Sequence, residues 1–305
     1  MKKRNADSNR RGYLVKKAEP HLFMSPSYLL LLLFIAYPFL NVIRMSFLDY
    51  RLTRRVRPFI GIDNFRRILN DPDMGMILTN SLVFVFVTVG LQFLLGLILA
   101  LALRKTFKGR AVYQGIVFIP WAFSNFIVGL TFRWLFNAEF GPVNDLLLRF
   151  GFIAERLVFL GSPRLALYTV ITALVWQGIP FFGIMILAAL QSIPDEFYEA
   201  GALEGCTGVR GFFYITLPTI KATVIITLML RLIWVFNNAE LIFVMTGGGP
   251  ANTSHTLASY MFTRAYSTLD FGFASAIGVF FMVILVSASA VFMGITRYTD
   301  LKSEG

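Results

Sequence analysis

The sequence predicts an all-α integral membrane protein, a bundle of six transmembrane helices. Three observations carry this. Of the 305 residues, 56% are hydrophobic and only 15% are charged, against about 25% charged in an ordinary soluble domain. The charges sit in short clusters. Between the clusters run apolar stretches longer than the roughly 18 residues that mark a membrane span.

Residues 1–21 form a basic tail with seven lysines and arginines. Residues 22–43 carry no charge. This run exceeds the apolar core of about 7–15 residues in a signal peptide, and no A-x-A site follows, so it reads as an uncleaved first span. The second span, 82–103, contains sixteen Leu, Ile, Phe and Val residues. At about −0.3 to −0.6 kcal/mol each, insertion is favoured by roughly 5–10 kcal/mol, which Gln92 does not cancel. Gly96 and Ala100 lie one turn apart there and leave room for a close helix. Further spans are expected at 111–132, 165–190, 219–244 and 273–295. The last repeats the small-residue spacing at Ala274/Gly278 and Ala290/Gly294. Residues 22–296 thus make one membrane domain, and 297–305 a short tail.

The formal charge is +11. Because the basic residues flank apolar runs, they report topology and headgroup contact rather than nucleic-acid binding. The connection 104–110 holds Arg104, Lys105, Lys108 and Arg110 with no acid, which places it in the cytoplasm. Six spans then put both termini and the connection 191–218 on the same side. The overall bias is small, 15 basic residues inside against 12 outside, because Arg44–Thr79 carries seven on the outer face. A single cysteine, Cys206, excludes an intrachain disulfide. With only two distant histidines there is no thiolate or histidine cluster for a metal.

Polar groups within spans are costly and mark candidate functional positions. Arg231 lies near the middle of the fifth span, where an arginine costs about 2.5–3.5 kcal/mol. Asn237, Asn238 and Glu240 follow it toward the outer end. Pro120 and Pro180 interrupt the third and fourth spans, with Trp121, Asn125 and Gln177 beside them. This set is the candidate solute path, although interhelical hydrogen bonding and packing account for the same residues.

The connection 191–218 carries a denser pattern. Ser192 and Asp195 have capping-box-like spacing, Pro194 suits a first turn, and Gly205 is a natural stop. Two short helices bent at glycines are expected, the second ending before Pro218. By physics alone they can either rest on their own bundle or receive a partner.

Glu199-Ala200-Gly201, then Gly205, then Ile215-Thr216-Leu217-Pro218, resembles the "EAA" signature of ABC importer permeases. Gly201 and Cys206 stand where that family usually has alanine. Gly61-Ile-Asp-Asn-Phe65, Pro120-Trp121, Trp134-Leu-Phe-Asn137, Gly141-Pro-Val-Asn144, Trp176-Gln-Gly-Ile-Pro-Phe181 and Leu190-Gln-Ser-Ile-Pro194 also match. So do Thr246-Gly-Gly-Gly-Pro250 with Thr256, Leu257 and Tyr260, and Phe271-Gly-Phe-Ala-Ser-Ala-Ile277. Together they resemble the MalF/UgpA-like branch, which serves carbohydrates and glycerol phosphate compounds.

The resemblance implies a multi-pass permease of the cytoplasmic (inner) membrane with both termini inside. It implies a second permease subunit, two cytoplasmic ATPases and an external solute-binding protein as partners. ATP and Mg²⁺ would sit on the ATPases and no cofactor on this chain. Glu199, Ala200, Gly201, Gly205, Ile215, Leu217 and Pro218 would form the ATPase-coupling surface. The alternative is an ion-coupled secondary transporter of a small polar solute, which needs intramembrane coupling-ion ligands. A membrane-embedded enzyme finds no support: there is no Walker A loop, H-E-x-x-H or G-x-S-x-G.

Overall fold

The fold is described from a computed structural model covering residues 23–104 and 108–295. The expected tails 1–21 and 297–305, and part of the connection 104–110, lie outside these residues. In chain order the helices are α1 (Phe23–Ser46), α2 (Asp63–Leu69), α3 (Met74–Arg104), α4 (Arg110–Ala122), α5 (Asn125–Leu135), α6 (Pro142–Arg149) and α7 (Ala166–Gln191). They continue with α8 (Asp195–Leu203), α9 (Gly208–Phe236), α10 (Glu240–Met245), α11 (Leu257–Tyr266) and α12 (Phe271–Ile295). Helices α1, α3, α7, α9 and α12 are each long and apolar enough to cross a membrane. The bent pair α4–α5 is apolar enough to count as a sixth if its two helices form one broken span.

Three elements differ from the sequence expectation. The third span is not one helix: α4 and α5 meet at 93°. Pro120 occupies the last turn of α4, Phe123 is extended, and the Ser124 hydroxyl caps α5 by accepting the Ile127 N–H at 3.4 Å. The fifth span starts earlier and ends at Phe236. Residues beyond it turn, and the Asn238 side-chain oxygen accepts the Leu241 N–H (3.3 Å) to begin the separate helix α10. Nor does Pro218 open a new element. The helix runs through it because Phe212–Thr216 forms a π turn in which the Leu217 N–H reaches the Phe212 carbonyl. A proline has no N–H for the carbonyl four residues back and crowds it; a wider turn just before it absorbs both problems. The same device precedes Pro38 in α1, where Leu32–Ala36 is a π turn.

Helix α7 is the centre of the bundle: 72% of its most apolar 18 residues are buried, against 6% in α1. It lies along α3 at Gly96, whose position leaves no room for a methyl against the α7 backbone. A Cβ there would sit 3.0 Å from the Ile179 carbonyl oxygen and 3.1 Å from the Gly183 nitrogen. The expected close approach at Gly96 and Ala100 is therefore present, and Ala100 is fully buried. Around this core α9 packs on α3 and α7, and α12 packs on α1, α2 and α11.

The basic segment 44–79 is a folded cap rather than a loose loop. Arg67 bridges Asp270 at 2.8 Å, Arg51 bridges Asp49 at 3.3 Å, and Arg54 also reaches Asp49. Arg57 and Arg67 lie over the rings of Tyr50 and Phe273 at 3.9 and 4.2 Å. Buried Asn64 donates to the carbonyls of Ser46 and Leu48, tying the cap to the end of α1. Much of the charge that weakened the topology bias is thus neutralised locally.

Candidate functional site

The intramembrane polar residues converge on one cavity of about 220 Å³. It is lined by Trp121, Asn125, Leu174, Gln177, Arg231, Trp234, Val235 and Asn238. The break between α4 and α5 brings Trp121 and Asn125 to its wall. The break is held by Gln177, whose amide N–H donates to the Phe123 carbonyl at 2.8 Å. That bond satisfies a carbonyl left free where the helix stops. The Gln177 oxygen is buried without a hydrogen-bond partner.

Arg231 enters from α9 and is only 7% exposed. Its Nε donates to Gln92 Oε1 at 2.7 Å, and Gln92 Nε2 donates to the Leu174 carbonyl at 2.6 Å. The chain Arg231–Gln92–Leu174 links α9, α3 and α7 through buried polar groups. Gly178 makes space for it, because a Cβ there would collide with both Gln92 and Arg231. Phe181 faces the guanidinium at 5.6 Å and lies between Trp121 and Trp234, with ring centroids 6.0 and 5.3 Å away.

Of the seven path residues expected from sequence, Arg231, Trp121, Asn125, Gln177 and Asn238 meet in this cavity. Asn237 and Glu240 do not line it. Asn237 is exposed and bonds back to the Ile233 carbonyl; Glu240 is exposed in the first turn of α10. Sequence reasoning missed Trp234 and the bracing role of Gln92. Gln92 is the single amide in an otherwise greasy span, which was the available signal.

The second candidate surface is the pair α8 and early α9. Pro194 is the N-cap of α8, and Ser192 instead ends α7 with its hydroxyl on the Ala189 carbonyl, so the expected capping box does not form. Helix α8 ends in a Schellman turn: Cys206 N–H bonds to Gly201 O (2.7 Å) and Gly205 N–H to Ala202 O (3.1 Å). Gly205 takes φ +73° to allow it, a conformation that glycine adopts freely. Gly201 faces Ile215, with no space for a methyl between them. Tyr198 joins its hydroxyl to Thr216 at 2.9 Å, and Arg104 at the end of α3 lies 4.2 Å over its ring. Glu199, Ala200, Gly205 and Pro218 are exposed, Ile215 and Leu217 half-buried, and Phe197, Leu203 and Val209 stand out as apolar groups with no cover from this chain.

At the other end, Thr246-Gly-Gly-Gly-Pro250 folds over His255. Gly248 rests on the imidazole so closely that any side chain would strike it. Asn80 of α3 donates to the carbonyls of Thr253 and His255, and the Ser81 hydroxyl accepts the Leu257 N–H. Burial, reinforced by Arg264, pushes the His255 pKa down to about 4, with Asp73 opposing. Tyr260 donates to Asp71 at 2.6 Å and accepts from Arg264; burial and the Asp71 bond push its pKa up to about 12.

Residues 92–303 match the family described as binding-protein-dependent transport system inner membrane component. The chain is 34% identical over 280 residues to the sulfoquinovosyl glycerol transport system permease protein SmoG of Agrobacterium fabrum, covering 92% of this chain and 90% of that one. It is 33% identical over 278 residues to the trehalose/maltose transport system permease protein MalF of Thermococcus litoralis, covering 91% and 93%. Its fold is similar to a chain of a bacterial ABC transporter involved in the import of the acidic polysaccharide alginate, with TM-score 0.82, 24% identity and coverage of 95% and 99%.

Proposed function

The chain belongs to the family of binding-protein-dependent transport system inner membrane components, and on that premise we propose that it forms half of the path for a sugar or sugar-like solute. It is a transport subunit of an ABC-type importer, not an enzyme. A second permease subunit completes the path, two cytoplasmic ATPases carry ATP and Mg²⁺, and an external binding protein delivers the solute. Relatives named for sulfoquinovosyl glycerol and for trehalose and maltose support the solute class. A fold relative crystallised with an alginate pentasaccharide-bound periplasmic protein supports the delivery step.

The single observation that carries this reading is the uncovered α8–α9 surface joined to the cavity by one continuous helix. Helix α9 holds Ile215, Leu217 and Pro218 at one end and Arg231 further along the same rod. A push on its start by an ATPase is transmitted to the cavity wall, the π turn at Phe212–Thr216 being the adjustable joint. In this reading Glu199 makes a charged contact with the ATPase. Ala200 and Gly201 keep the α8 face low, and Gly205 sets the bend between α8 and α9. Both termini lie in the cytoplasm.

The test is co-purification with the partner ATPase, together with uptake. Gly205→Asp forces a side chain into φ +73° and adds a charge at the bend. The variant is expected in the membrane in normal amount, with ATPase recovery and uptake both down at least tenfold. Normal recovery of the ATPase would remove Gly205 from the coupling surface.

A further inference from the structure

The cavity has a sign. Arg231 is 7% exposed, its Nε is taken by the neutral Gln92, and no carboxylate lies within 4.0 Å of it among the described residues. Its terminal nitrogens have no hydrogen-bond partner there. No Asp or Glu lines the cavity, and Glu240 is turned elsewhere. A buried guanidinium is costly without a partner charge, and the described residues supply none.

A second positive group faces the same space. Helix α5, eleven residues long, begins at Asn125 on the cavity wall. Ser124 takes the Ile127 N–H, while among the described residues no acceptor takes the backbone N–H groups of Asn125 and Phe126. The start of a broken span therefore presents free N–H donors and the positive end of its dipole to the cavity that Arg231 enters. Opposite them are neutral polar groups: the unpartnered Gln177 oxygen, which can accept a hydroxyl, and the Asn125 and Asn238 amides. Trp121 and Trp234 offer flat apolar faces.

We propose that this cavity receives a sugar-like solute bearing an anionic group, a carboxylate, sulfonate or phosphate, with Arg231 as its counter-charge and the start of α5 beside it. The guanidinium has a two-nitrogen edge that matches the paired oxygens of all three groups. This rests on the importer reading and names the solute class within it. The rival explanation is that an acid of the second permease neutralises Arg231 and the solute is neutral.

The test uses the complete transporter (both permeases, ATPases and binding protein) in proteoliposomes, with radiolabelled probes of matched ring size: glucose, glucuronate, glucose 6-phosphate and 6-deoxy-6-sulfoglucose. Wild type is expected to take up at least one anionic probe and to leave glucose at background. Arg231→Gln should lower that uptake at least tenfold, mainly through KM, and Arg231→Lys should recover part of it. Uptake of glucose alone, or anionic uptake untouched by Arg231→Gln, overturns the proposal while leaving the importer reading intact. Uptake of none of the probes overturns the anionic proposal and leaves the importer reading to the ATPase co-purification test. Recovery of the ATPase reports assembly of each variant; if neither Arg231 variant assembles, the wild-type comparison of glucose with the anions decides.

Discussion

Gly178 shows how a single missing side chain positions the cavity. Gln92 and Arg231 reach each other over the bare α7 backbone at this point. Alanine at 178 would meet the ends of two flexible side chains rather than a backbone, so the helices need not part. The Arg231–Gln92 bond should break and the guanidinium swing away. Gly178→Ala is therefore expected to cost only about 1 kcal/mol of stability, at the low end of the overpacking range, yet to cut uptake more than tenfold. Thermal melting of the purified transporter and uptake in cells measure the two separately. Normal uptake with a lowered melting temperature would show that the Arg231–Gln92 bond is a brace only.

At the scale of elements, the long uniform helices were legible because composition alone decides them. Nothing in 82–103 or 273–295 competes with a helix, and α3 and α12 cover them; in 165–190 Pro180 does not interrupt the span as expected, because α7 runs through it from Ala166 to Gln191. The breaks were not legible, because apolar residues run straight through them. Phe123 reads as part of a span, yet it is extended; Leu241 and Ile242 read as the end of the fifth span, yet they lie on the buried face of α10. The local signals were there in Pro120 with Ser124 and in Asn237-Asn238; a tertiary bond from Gln177 holds the first break, and the local Asn238–Leu241 cap starts α10 after the second. Likewise Arg231 and Asn238 were readable from intramembrane polarity, and Trp121, Asn125 and Gln177 from their place beside Pro120 and Pro180, whereas Trp234 is an aromatic residue in an apolar helix and carries neither mark. The loop 246–256 yields a pH prediction at this same scale. The buried His255 binds a proton less readily than in the unfolded chain, where its pKa is about 6.5, so the unfolded state gains protons as pH falls. The loop should thus be fully stable above about pH 6.5 and lose stability progressively toward pH 4. Hydrogen exchange of residues 246–260 between pH 7 and 4, compared with His255→Gln, measures this. An identical pH profile in the variant would assign the change to another group.

For the molecule as a whole, α3 is the ruler that fixes the two sides. It has 31 residues, a length of about 46 Å at 1.5 Å per residue, well beyond the roughly 30 Å hydrocarbon core. Its start adjoins the capped segment 44–73, and its last residue, Arg104, lies over Tyr198 of α8. The arginine-rich cap and the α8–α9 surface therefore lie at opposite ends of α3. In the proposed topology the short basic connection after Arg104 lies inside, with α8 in the cytoplasm and the cap outside. The cap can be translocated because its arginines are largely paired or stacked. The single native cysteine makes this easy to check. In a Cys206→Ala background, Leu203→Cys (90% exposed) and Val56→Cys (74% exposed) place one thiol at each face. A membrane-impermeant maleimide should label position 203 only in inside-out vesicles and position 56 only in right-side-out ones. The reverse pattern would leave the α8–α9 surface facing the outside, where no ATPase could reach it, and the whole coupling scheme would fall.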